Sequence, residues 1–159
     1  MPNPASSHLY RAATPALLLS LLLTFPPAQA TKPAPNAPVR KELVEAIRHD
    51  ATLGPPLQGH TLDIHQMWAS DRWAYVCLIA VDKDGRHERA SDGETFVVQQ
   101  IVLEKKSESD GWVPVARIDG LSQSVRKLQC ASDASGQIND AFLESVATNP
   151  SMALVKTTK

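Results

Sequence analysis

Eleven residues in the middle of the chain, Arg72 to Asp82, limit the fold more than any other stretch. The odd positions, Trp73, Tyr75, Cys77, Ile79 and Val81, carry large side chains, and the even positions, Ala74, Val76, Leu78 and Ala80, are apolar as well. Successive side chains of a strand point to opposite faces, so a strand that is apolar on both belongs at the middle of a covered sheet. The rest of the chain must supply the neighbouring strands and the covers.

A second two-sided strand is predicted over Thr95 to Lys105, with Phe96, Val98 and Val102 facing one way and Val97, Ile101 and Leu103 the other. Thr61 to Trp68 alternates, placing Leu62, Ile64 and Trp68 on one face and Thr61, Asp63 and His65 on a wet one. The short link Ala69-Ser70-Asp71 makes this strand an antiparallel hairpin partner of the central one. Trp112 to Ile118 reads as a fourth strand, and Pro114, which lacks a donor, puts it at or near a sheet edge. Lys83 to Gly93 is polar and without apolar periodicity, so it is expected to be a mobile hairpin connection, with a working loop as the further reading.

Helical spacing occurs at both ends of this strand-rich region. Val39, Leu43, Ala46, Ile47 and Ala51 recur every three or four residues, opposite Arg40, Lys41, Glu42, Glu45 and Arg48. This predicts one amphipathic helix, started by Asn36 or Pro38 and stopped before Gly54-Pro55-Pro56. A C-terminal helix is predicted over Gln137 to Ala147, with Ile138, Ala141, Phe142, Ser145 and Val146 on its inner stripe. Leu121 to Cys130 fits either a helix or an irregular segment. The expected fold is α+β: the N-terminal helix packs on a curved antiparallel sheet of about four strands, and the C-terminal helix closes an end.

Met1 to Ala30 has one charge, Arg11, then an apolar run from Pro15 to Phe25 and the small-residue ending Ala28-Gln29-Ala30. Those are the marks of a secretory signal peptide cleaved after Ala30, and Pro26-Pro27 ends the run short of the roughly 20 residues that a membrane span needs. Residues 31–38 read as a proline-rich flexible linker, 39–148 as a single domain and 149–159 as a C-terminal tail. Cleavage leaves 129 residues, enough for one core. Without Arg11 the 16 Lys and Arg become 15 against 17 acids, a net charge of −2 that offers nucleic acid or anionic lipid no basic surface. The expectation is a periplasmic or secreted protein with no nucleic-acid partner and no stable membrane insertion. In an oxidising compartment the even pair Cys77 and Cys130 is expected to form a disulfide, closing a loop of about 54 residues. Two buried thiols are the alternative, since no Cys-x-x-Cys or matching histidine spacing supports a redox or metal pair.

Motifs with chemical meaning are sparse. Asp82-Lys83-Asp84-Gly85 starts like a calcium loop, but its glycine comes two residues early and Gly93 stands where a bidentate acid is needed, so a turn is expected. Gly120-Leu121-Ser122-Gln123-Ser124 lacks the last glycine of a nucleophile elbow, and Ser122 is read as a turn hydroxyl. His49, His60, His65 and His87 show no zinc spacing and are read as surface or edge residues. Asp63, His65 and Asp119 are the only catalytic candidates, and no cofactor or metal motif is present. Trp68, Trp73 and Trp112 each lie at a strand end, where they serve either as core anchors or as a binding surface.

Arg40, Leu43, Ala46, Ile47 and Arg48, then Trp73-Ala74-Tyr75-Val76, Ile101-Val102-Leu103 and Asp110-Gly111-Trp112-Val113-Pro114-Val115 closing on Ile118-Asp119-Gly120, form a pattern over about Arg40 to Gly120. The pattern resembles a group of small uncharacterised exported proteins of Gram-negative bacteria. The resemblance implies a helix across a curved antiparallel sheet, similar to cystatin-like or NTF2-like folds, and transfers no catalytic residue. The expected role is non-catalytic binding of a periplasmic protein or cell-envelope component. A small isomerase- or hydrolase-like pocket enzyme is the alternative.

Overall fold

Every residue from Trp73 to Ala80 is buried, so the central stretch is covered on both faces as its pattern requires. The computed structural model describes residues 32–33 and 37–149. The expected leader, half of the linker (including Asn36, one of the two expected helix starts) and the tail after Asn149 lie outside that range.

In chain order the elements are α1 (Pro38–His49), α2 (Gly54–Leu57), β1 (Thr61–Ala69), β2 (Trp73–Val81), β3 (Phe96–Glu104), β4 (Val113–Ser122), a 3₁₀ turn (Val125–Lys127) and α3 (Asp140–Thr148). The four strands form one sheet in the order β1-β2-β3-β4, antiparallel throughout. This is the predicted α+β arrangement.

The two faces of β2 carry two separate cores. Ala74, Val76, Leu78 and Ala80 pack with Ile101 and Leu103 of β3 beneath Leu43 and Ile47 of α1. Tyr75, Cys77 and Ile79 pack with Val98 and Val102 beneath Ile138, Leu143 and Val146. The molecule is therefore three layers deep. The C-terminal helix lies over the second sheet face rather than closing an end, because those odd-numbered side chains also need a cover.

Pro38 occupies the first turn of α1, where its missing N–H costs nothing, and Leu43 and Ile47 are fully buried. Ala51, expected on the inner stripe, is exposed in the turn that follows. The Gly54-Pro55-Pro56 run does stop α1, yet it also forms α2 and presents buried Leu53 and Leu57 to the core. Gly54 lies against the backbone carbonyl of Arg48, where a Cβ would collide.

Bulges decide which face several side chains reach. β1 carries an extra residue, His65, between the pairs Ile64↔Leu78 and Gln66↔Cys77. Beyond it the alternation is inverted: Met67 joins the α1 side and Trp68 the α3 side, so Trp68 does not share a face with Leu62 and Ile64 as expected. The second bulge lies in β4 between the partners of Val102 and Leu103, immediately after Pro114. β4 is an edge strand, which accords with that proline.

After β4 the chain makes one 3₁₀ turn and runs irregularly to Cys130, which is bonded to Cys77 with a Cα–Cα distance of 6.0 Å. α3 begins three residues later than predicted because the Asn139 side chain caps it, accepting from Phe142 N at 2.9 Å. Its buried residues are Leu143 and Val146; Ala141 and Ser145, expected inside, are exposed. Among the described residues no helix is long and apolar enough to cross a membrane.

Candidate functional site

Directly opposed side chains in an antiparallel pair share a face, so the register sorts the candidate residues. Asp63 opposes Ile79 and lies on the α3 side. Asp119 opposes Gln99, which opposes Leu78, and so lies on the α1 side. The sheet thus separates Asp119 from Asp63. Asp119 instead accepts from Arg117 Nε at 2.7 Å on its own strand.

Asp63 is joined by two histidines. His87 Nε2 donates to Asp63 Oδ2 at 2.9 Å, and His65 Nε2 lies 3.3 Å from the same oxygen. Asp63 and His65, two residues apart on β1, face the same side by simple strand alternation. Burial by itself pushes the Asp63 carboxyl up, but the hydrogen bond from His87 and the contacts with His65 outweigh it and hold the group below the ordinary carboxylate value. Among the described residues, no three or more His, Cys, Asp or Glu side chains are arranged to hold a metal ion.

His87 is the member that sequence reasoning missed. It sits in the Lys83 to Gly93 stretch, expected to be a mobile connection or a working loop, which folds back on the ends of the two central strands. Asp82 Oδ1 accepts from the backbone of Asp84 and Arg86, Gly85 adopts φ 77°, and Val81 then pairs with His87. Glu88 N donates to Ala80 O and Val97 N to Glu88 O, so this segment wedges between the ends of β2 and β3. Two glycine turns, at Gly85 and Gly93, bracketing the polar Arg86–Ala90 stretch were the available signal. The turn expected in place of a calcium loop is present. Ser122 ends β4, and its hydroxyl donates to Ser124 O, so no nucleophile elbow forms.

The three tryptophans do lie at one end of the sheet, since Trp68 opposes Tyr75, Trp73 opposes Glu104, and Glu104 opposes Val113 next to Trp112. They do not form one surface. Trp68 and Trp73 belong to the α3-side core and Trp112 to the α1-side core, with Trp73 5% and Trp112 8% exposed. Arg72 stacks over Trp73 at 5.0 Å and Lys105 over Trp112 at 5.8 Å, so cations cap the rings that reach the rim.

Beside Trp112 lies an open groove of about 520 Å³, walled by Glu104, Lys106, Asp110, Val113 and Val115. Val113, Val115 and Leu121 are the large apolar side chains left exposed among the described residues, at 53%, 38% and 56%, and all three belong to this edge strand. Sequence reading placed β4 at the edge but did not single out these residues.

Comparison with known proteins finds no matching family model, no matching curated protein and no matching solved structure.

Proposed function

We propose that this chain is a non-catalytic exported protein of the periplasm that binds a polypeptide, either a protein or a protein component of the cell envelope, along β4 and the groove beside Trp112. The observation that carries this reading is the confinement, among the described residues, of exposed large apolar side chains to one open edge strand. A sheet edge offers a row of backbone donors and acceptors, and another polypeptide is the partner that can pair with all of them. The signal-like Met1 to Ala30 and the Cys77–Cys130 disulfide favour an oxidising, exported setting. Filling of both sheet faces by the chain's own side chains favours a surface over an internal pocket as the working site. A photocrosslinking residue at Val115 or Leu121 in living cells is expected to yield a discrete adduct, identified by peptide mass. Probes at the exposed positions Thr52 and Asp84 are expected to yield none. Absence of adducts from β4, or equal yields at all four positions, rejects the reading.

A second reading, a small isomerase- or hydrolase-like enzyme on an NTF2-like fold, has one observation in its favour: two imidazoles converge on the Asp63 carboxylate. Turnover of an ester or ketone panel that disappears in both Asp63→Asn and His87→Gln would support it. Turnover indifferent to those substitutions, or none at all, removes it.

A further inference from the structure

The side chains of β4 are complementary to themselves when two copies of the strand run antiparallel. Arg117 and Asp119 flank Ile118, one residue away on each side, and Val115 and Leu121 flank it three away. A two-fold axis through Ile118 therefore sets Arg117 of one copy opposite Asp119 of the other, twice, and brings Val115, at the β4 bulge, towards Leu121, twice. The charges at the centre alternate in sign around a square, and the exposed apolar residues meet on either side of it.

Registers shifted by one step in either direction lose this match. An axis at Arg117 opposes two guanidinium groups and an axis at Asp119 opposes two carboxylates. Opposite charges directly across a strand pair stabilise and like charges destabilise, so the pattern specifies a register as well as a partner. Pro114 lacks an N–H at the far end and limits pairing to about the stretch Val115 to Leu121. Among the described residues, the backbone hydrogen bonds outside regular elements include none to β4, and its outer edge is open. Arg117 and Asp119 are 28% and 53% exposed at their side chains, within reach of a second copy.

We infer that β4 pairs with β4 of a second copy of this chain, centred on Ile118, giving a two-fold dimer with a continuous eight-stranded sheet. Such an interface is isologous: Arg117 meets Asp119 and Asp119 meets Arg117. The inference rests on the reading of β4 as the interaction edge and names its partner.

Sedimentation of the whole chain, purified as the cell processes it, is expected to show a concentration-dependent monomer–dimer equilibrium over the micromolar range. Arg117→Asp and Asp119→Arg, each folded by circular dichroism, are each expected to weaken self-association by about tenfold or more, because like charges then oppose like. Mixing the two variants is expected to restore a dimer containing one chain of each, since every opposed pair is again opposite in sign. A mixture that stays monomeric overturns the proposal, as does a wild-type chain that is monomeric throughout. If that monomeric chain still crosslinks from Leu121 to a different protein, only the second-copy assignment falls. If Leu121 captures nothing, the reading of β4 as an interaction edge falls with it.

Discussion

His87 donates to Asp63 Oδ2 at 2.9 Å across twenty-four residues of chain, fastening the connection between β2 and β3 to the outer strand β1. The contact lies at the end of the sheet remote from the tryptophans. His87 is also edge-on to Phe96, with ring centroids 6.1 Å apart, so the same imidazole meets β1 through Asp63 and the first residue of β3. A segment without any apolar periodicity is ordered here by turns held on Asp82 and Asp92, two backbone bridges and the Asp63 carboxylate.

This carboxylate should make the protein acid-sensitive. Asp63 is held below its ordinary value of 3.8 in the folded state. A lowered folded value means that its stabilisation is complete above the unfolded value and is lost as pH falls through the folded one. Asp82, Asp92 and Asp133 shift in the same direction, chiefly through a hydrogen bond from Arg86 N, one from Thr95 N and one from the Ser135 hydroxyl respectively. Denaturant midpoints are expected to drop below about pH 4, and less steeply in Asp63→Asn than in the wild type. Equal slopes would mean that the cluster is energetically silent.

The disulfide should matter more than any single ion pair. Cys77 is fully buried at the centre of β2, and its bond to Cys130 spans 53 residues. It holds the irregular segment whose Ala131 N donates to Tyr75 Oη and Gln100 Oε1, at 2.9 and 2.6 Å. Tyr75 in turn donates to Gln100, and burial pushes its hydroxyl well above the ordinary value, so this polar knot is neutral. Replacing both cysteines by alanine is expected to cost about 4 kcal/mol in guanidinium unfolding. Labelling of the denatured, unreduced protein should find no free thiol, and two after reduction.

What could be read from the sequence, and what could not, follows from where side-chain alternation is uninterrupted. β2 and β3 contain no bulge against each other, so the two faces of Phe96 to Leu103 come out as their pattern predicts. β1 has an inserted residue at His65, and a single insertion reverses every later side chain, Trp68 included. Nothing in the local composition marks that position. Asp63 and His65 were visible as a wet-face pair, whereas His87 reaches them through a tertiary contact that no short-range spacing encodes. Leu53 and Leu57 were hidden by the prolines between them, which signal a break and here also form a helical turn.

That turn gives a sharp test of packing. A Cβ at Gly54 meets the Arg48 carbonyl, which is part of the end of α1 and has no flexible side chain to give way. Gly54→Ala is expected to destabilise by about 1 to 3 kcal/mol, the range for overfilling a packed site. Gly111→Ala, where a Cβ meets nothing within 4 Å, should be close to neutral in the same denaturation assay.

Stability and association should also separate cleanly between two leucines. Leu43 of α1 is fully buried against the sheet, and truncating it to alanine leaves a cavity that costs about 2 to 5 kcal/mol. Leu121 is 56% exposed on β4, so Leu121→Ser should change the unfolding free energy by no more than about 0.5 kcal/mol. The reverse holds for binding. Leu121→Ser removes an apolar contact from the open edge and should weaken association measured by sedimentation, whereas a Leu43→Ala protein kept well below its melting point should associate as the wild type does. If Leu121→Ser unfolds the protein instead, the side chain is part of the core and β4 is not a free edge.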